Sequence, residues 1–105
     1  MKYEVVIVPS AEGELEAAYL WILTQAPEAA ANWYNGVLDA IVTLETFPER
    51  CPLAPESRAF DHDIRQLIHG KRHHAYRILF DVTGRTVRIL HIRHGAREHL
   101  TPEGE

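Results

Sequence analysis

The chain has a single cysteine, Cys51, so no intrachain disulfide can form and a reducing cytoplasm is the expected compartment. Serines are almost as scarce: Ser10 and Ser57 are the only two, and neither sits in a nucleophile-elbow context. Cys51 lies between Arg50 and Pro52 with no base beside it in sequence, so a thiol nucleophile has no activating partner. There is no glycine-rich phosphate loop, no cysteine pair and no His-Glu helix motif. Long hydrophobic runs are missing too. Tyr3 to Val8 is apolar but short and broken by Glu4, so neither a signal peptide nor a membrane span is expected. Seven histidines invite a zinc reading through His73, His74, His91 and His94. Adjacent strand residues point to opposite faces, and His91 and His94 are separated in the same way unless the strand bulges. No metal and no cofactor are expected.

What the chain does contain is the composition of one globular domain over residues 1–105, with 46% hydrophobic and 25% charged residues. The polar stretch 96–105 holds Pro102 and Gly104 and is expected to form a flexible tail. The formal net charge is −4, but the signs are segregated along the chain. Met1 to Asp63 carries eleven acids against three bases, a net of −8, whereas Ile64 to Leu100 carries eight bases against two acids, a net of +6. Such asymmetry permits a local positive patch on an acidic protein.

Periodicity predicts the elements. Tyr3 to Val8 reads as a short β-branched strand ended by Pro9, with Ser10 placed as the N-cap of a helix. Leu15, Ala18, Tyr19 and Ile22 form the apolar stripe of that helix, which is expected to stop near Gln25. Pro27 opens a second helix to Phe47, with the stripe Ala30, Trp33, Val37, Ile41 and Leu44. The few residues between them force an antiparallel hairpin. Trp21 and Tyr34 fall beside or outside the stripes and are candidate partner contacts. Pro48 to Asp61 holds three prolines and is expected to be an irregular loop pinned by Leu53 and Phe60. Asp63 to His69 reads as a strand. Lys71 to His74 then form a basic turn into a hairpin centred on Gly84. In its first arm Tyr76, Ile78, Phe80 and Val82 share one face, and Arg77, Leu79 and Asp81 the other; in its second, Val87 and Ile89 oppose Leu90 and Ile92. The order β-α-α-β-β-β predicts an α+β fold of two layers, an antiparallel sheet packed against an N-terminal helical hairpin.

The chemistry on offer is an arginine and histidine array. Arginine grips phosphate through paired donors, and a histidine titrating near neutrality moves protons. Arg65, Arg77, Arg93, His94 and Arg97 could therefore serve a metal-free ribonuclease, which needs a base, an acid and cations for the phosphorane. The competing account is that each arginine pairs with an acid on the helices or the long loop.

The sequence resembles the RelE/ParE superfamily of bacterial toxins. The resemblance rests on Pro9-Ser10-Ala11, Trp33-Tyr34, Leu44-Glu45-Thr46-Phe47-Pro48, Ile64-Arg65-Gln66-Leu67, Tyr76-Arg77-Ile78-Leu79-Phe80 and Ile89-Leu90-His91-Ile92-Arg93-His94-Gly95-Ala96-Arg97. It implies the toxin of a type II toxin–antitoxin module, partnered by a cognate antitoxin in a hetero-oligomer or present as a homodimer. The last two segments are more similar to the ParE and plasmid-stabilisation branch, which implies inhibition of DNA gyrase and no catalysis. The RelE branch implies instead cleavage of mRNA on the ribosome, with His94, Arg77 and Arg97 as catalytic residues. A third implication is an inactive member that only binds antitoxin. RelE-type nucleases are strongly basic and often end in a tyrosine; this chain is acidic and has no tyrosine after Tyr76. The expected contact residues for target or antitoxin are Arg65, Arg77, His91, Arg93, His94, Arg97, Trp21 and Tyr34.

Overall fold

The structure, a computed structural model, describes residues 2–70 and 75–95. The basic turn expected at 71–74, the tail expected at 96–105 and Arg97 lie outside the described residues. Strand β1 (Glu4–Ile7) leads into helices α1 (Pro9–Gln25) and α2 (Pro27–Val42). Strands β2 (Arg65–His69), β3 (Tyr76–Thr83) and β4 (Thr86–His94) follow, giving an α+β fold.

Helix α1 starts two residues earlier than its sequence predicts. Val8, in extended conformation, is the cap residue, and Pro9 takes the first helical position, where its missing N–H is no loss. Ser10 therefore lies inside the helix and no side chain caps it. A single residue, Ala26, separates the two helices: its N–H donates to Ile22 O at 2.7 Å and its carbonyl accepts from Ala29 N at 2.9 Å. Helix α2 stops at Val42, short of Phe47, and tightens into a 3-10 turn at Thr43–Glu45. Two local groups draw the helix off its regular ladder. The Thr43 hydroxyl donates back to Ala40 O at 2.6 Å. The Arg50 guanidinium donates to the carbonyls of Thr43, Thr46 and Phe47 at 3.3, 2.7 and 3.2 Å.

The sheet order is β1-β4-β3-β2. Strands β2, β3 and β4 are antiparallel neighbours, but β1 runs parallel to β4, with Glu4 opposite Thr86 and Ile7 opposite Ile89, so the sheet is mixed. The helical hairpin returns the chain to the end where β1 began, which lets the first strand lie beside the last. Between β3 and β4 the register shifts at Leu79/Phe80: Leu79 opposes His91 while Phe80 opposes Ile89. Leu90 is the extra residue of a β-bulge, which reverses the sidedness of everything after it. Ile92 therefore joins Val87 and Ile89 in the main core, and Leu90 packs on the other face with Ala54, Ile64 and Leu79. The period-two expectation for Leu90 and Ile92 fails for that reason.

The main core lies between helices and sheet. Ala11, Leu15, Val37, Ile41 and Leu44 from the helical side meet Ile78, Phe80, Val87 and Ile89 from the sheet. The proline-rich segment is more regular than expected, with single 3-10 turns at Pro48–Arg50 and Pro55–Ala59. It runs back along β2, with Gln66 N donating to Pro52 O at 3.1 Å and Ala54 N to Ile64 O at 2.7 Å. Ala54, Ile64 and Phe60 anchor it over the sheet face that the helices leave open. Leu53, expected as an anchor, makes only a backbone bridge to Arg65 and is half exposed.

Candidate functional site: where the arginines and histidines go

Strand β3 directs Arg77, Leu79 and Asp81 at the face covered by the proline-rich segment, which supplies Glu56 to Arg77 and Ala54 to Leu79, while Asp81 finds Arg88 in β4 and His62 just past the segment. Arg77 is buried, and its two terminal nitrogens reach Glu56 Oε2 and Oε1 at 2.7 and 2.6 Å. Its remaining donors go to Gln66 Oε1 at 3.0 and 2.8 Å. Leu79 meets Ala54 and Ile64. Asp81, 1% exposed, is bracketed by Arg88 at 3.0 and 2.6 Å and by His62 Nε2 at 3.0 Å. Arg77 therefore does not stand on a docking face; fold geometry sinks it with a carboxylate because a lone buried cation is prohibitively costly.

At the β4 edge a second acid gathers the next cations. Strand β1 ends at Ile7, so β4 beyond Ile89 has no strand beside it there. Glu14, from the first turns of α1, occupies the gap: Oε1 accepts the Ile92 N–H at 2.9 Å and Oε2 accepts Arg93 Nε at 2.8 Å. His91 Nδ1 lies 3.3 Å from the same Oε2. Burial pushes the Glu14 carboxyl up, but the His91 hydrogen bond, the Ile92 N–H and the Arg93 charge outweigh it and hold the group below its ordinary value. One carboxylate thus serves as a replacement strand, as the counter-ion of Arg93 and as a partner of His91.

The other candidates are dispersed. Arg65 donates to Glu49 O at 3.3 Å and to Cys51 O at 2.7 Å, closing the turn of the proline-rich segment. His94 lies on the helix-facing side, edge-on to Tyr76 with ring centroids 5.2 Å apart; Tyr76 in turn meets Trp33 at 4.9 Å. His91 opposes Leu79 and His94 opposes Tyr76, so the bulge does not bring the two imidazoles together. Trp21 is 59% exposed. Tyr34 is half-buried, edge-on to Tyr19 at 5.3 Å, and packs against the core rather than standing clear of it. Cys51 is buried, and that burial pushes its thiol up against the opposing pull of Arg50 and Arg65. Among the described residues no group of three or more His, Cys, Asp or Glu is placed to hold a metal ion. No helix among them is long and apolar enough to cross a membrane.

The acids that organise these sites, Glu14, Glu56 and Asp81, are the residues that sequence reasoning passes over. Glu14 reads locally as a helix-dipole carboxylate, and its partners lie 77 to 79 residues away. Only Asp81, flanked in β3 by apolar neighbours, carried a local sign of burial.

His62 bridges two carboxylates. Its Nδ1 lies 2.8 Å from Asp61 Oδ1 and its Nε2 3.0 Å from Asp81 Oδ2. The Asp61 hydrogen bond and the Asp81 contact raise its pKa above the ordinary value, against a desolvation that lowers it. A polar depression of about 590 Å³ opens beside it, lined by Arg65, Arg88, Glu49, Asp63 and Asp81. With acids and bases interleaved there, it offers no net positive field for a phosphate.

Comparison with known proteins identifies the fold family. The sequence matches the family described as ParE toxin of type II toxin–antitoxin system, parDE, over residues 5–99. A solved structure, a chromosomal ParDE toxin–antitoxin system from P. aeruginosa, superposes with a TM-score of 0.69 at 17% identity. The match covers 89% of this chain and 96% of that one. A search of curated proteins gives no significant match. The family match over nearly the whole chain shows that it belongs to the ParE toxins of type II toxin–antitoxin systems.

Proposed function

We propose that this chain acts as a ParE-type toxin by inhibiting DNA gyrase, and that a cognate antitoxin neutralises it. The observation that carries the choice of a protein target over RNA is the disposition of the cations. Arg77 is sealed against Glu56, the half-exposed Arg88 bonds the buried Asp81, and Arg93 and His91 converge on Glu14. A ribonuclease needs such groups turned towards a scissile phosphate, and carboxylates at the same places repel the RNA backbone. These arginines, among the described residues, are engaged in holding the fold together. Protein surface therefore remains as the means of action, which accords with gyrase inhibition and with capture by an antitoxin.

The test is inducible expression with two readouts, plasmid topology and mapped mRNA ends, followed by a supercoiling assay with purified protein. Loss of supercoiling with intact ribosome-bound mRNA is the expected result, reversed by the protein encoded beside the toxin. Site-specific mRNA cuts that depend on His94 would overturn the proposal.

A further inference from the structure

The smaller core, on the sheet face that the helices leave open, does not close. Ile64, Leu79 and Leu90 meet Ala54 and Phe60 of the proline-rich segment. Between this cluster and the entry into α1, at Val8 and Ser10, a cavity of about 280 Å³ remains. The β-bulge contributes to it. The extra residue sets both Leu90 and His91 against the cavity, where a regular strand would turn one of them away. Cavities that hold small ligands begin at about this size, and they are mostly apolar with a few convergent polar groups.

The acids in the cavity wall are already engaged. Glu56, 2% exposed, gives both oxygens to Arg77. Asp81 is bonded by Arg88 and His62. Glu14, behind His91, is matched by Arg93. Several donors are not engaged. Arg88 reaches Asp81 through Nε and Nη2, which leaves Nη1 without a partner among the described residues. His91 meets Glu14 through Nδ1 and has no such partner at Nε2, and the Ser10 hydroxyl has none either. All three residues line the cavity.

Charge decides what fits. Each ring nitrogen of His62 stands within hydrogen-bond distance of a carboxylate oxygen, at 2.8 and 3.0 Å, so both nitrogens donate and the ring is an imidazolium. Asp81 therefore lies between two cations and cancels one of them. The other acid on His62, Asp61, is 98% exposed and screened by water. One positive charge is left at the wall, beside the apolar surface of Phe60, Leu79 and Leu90. A phosphate dianion exceeds that charge and makes no use of the apolar surface. A single carboxylate on a compact branched or aromatic body uses both, with its oxygens accepting from Arg88 and Ser10.

We infer that the cavity between the open sheet face and the start of α1 binds a small apolar monocarboxylate, held at its charged end by Arg88 and Ser10 and along its body by Phe60, Leu79 and Leu90. The site joins the start of α1, the end of the proline-rich segment and strand β4, so occupancy stabilises the folded chain by mass action. Binding there does not depend on which target the toxin has.

The probes are benzoate and isovalerate, added to the full chain, with benzamide as a neutral analogue and inorganic phosphate as the dianion. Amide shifts in a proton–nitrogen correlation spectrum and the melting temperature are followed through each titration. Both carboxylates are expected to raise the melting temperature and to give saturable shifts centred on Ser10, Phe60, Arg88 and Leu90, with a dissociation constant below about 10 mM. Benzamide and phosphate are expected to bind about tenfold more weakly or worse. Ser10→Leu places an apolar side chain at the cavity without removing a bond that the fold uses. It is expected to melt like the wild type and to weaken benzoate binding by about tenfold or more. The inference is overturned by carboxylate shifts that do not saturate or that centre elsewhere. Benzamide or phosphate binding as tightly as benzoate overturns it too, as does unchanged benzoate affinity in Ser10→Leu. If that variant melts lower, the contrast between benzoate and benzamide on the wild type decides alone.

Discussion

Replacing Glu56 with glutamine isolates what the buried Arg77 guanidinium requires. The carboxylate is fully buried and Arg77 is 8% exposed at the side chain, so removing one charge strands the other away from water. Breaking a buried ion pair in this way costs about 3–5 kcal/mol, against total domain stabilities of about 5–15 kcal/mol. For a chain of this size that is a fall in Tm on the order of 15 °C or more. Arg77→Met alone should cost a similar amount, because it strands Glu56. The double variant, Glu56→Leu with Arg77→Met, should recover most of the loss, since apolar residues of similar volume replace a buried pair with little net change in stability. Urea denaturation of the two singles and the double gives the coupling energy directly. Single variants within about 1 kcal/mol of wild type, or a double equal to the sum of the singles, would refute the reasoning. The same set separates two roles for Arg77. A target-contact arginine would lose growth arrest at unchanged stability; here stability falls first.

Glu14→Gln should flatten the acid limb of the stability curve. A carboxyl held below its ordinary 4.5 contributes stability that is present above that pH and lost as pH falls through the lowered value, so wild type and variant should converge in acid. His62 has the opposite sign: its raised pKa contributes stability fully present below 6.5 and lost as pH rises through the folded value. Because its side chain is nearly half exposed, His62→Ala should remove only a few tenths of a kcal/mol of that dependence, read from melts between mildly acid and mildly alkaline buffer. Gly84 has φ +60°, and a Cβ added there would meet only open space. Gly84→Ala should therefore cost about 1 kcal/mol through backbone strain alone, and Gly84→Asn distinctly less, by thermal melt.

Local periodicity made much of the fold legible. The faces of β3 and the stripes of α1 and α2 follow from spacing within one element, and the structure places Ile78 and Phe80, or Val37 and Ile41, as that spacing requires. What spacing cannot carry is a relation between distant segments. Ile92 changes side only because β3 shifts register against the extra residue Leu90, and β1 finds its parallel partner at the far end of the chain, in residues 86–89. The candidate site suffered most from this. Counting charge along the chain separated a −8 half from a +6 half and suggested a cationic face. Folding interleaves them instead: Glu14 from the acidic half meets Arg93, and Glu56 meets Arg77. The segregation that looked like a docking field is the chain's internal supply of counter-ions. Phe47 was legible as part of a family-like motif, but its exposure and left-handed backbone are properties of the turn.

The parallel seam between β1 and β4 also orders assembly in time. Residues 4–7 pair with residues 86–89 at the far end of the chain, so the opening strand must wait for the closing one, with the helical hairpin bridging the interval. During synthesis the N-terminal segment leaves the ribosome with an unsatisfied edge, and a chain halted anywhere before Thr86 cannot complete its sheet. A fold built on such a seam has its complete sheet only once its last strand has been made.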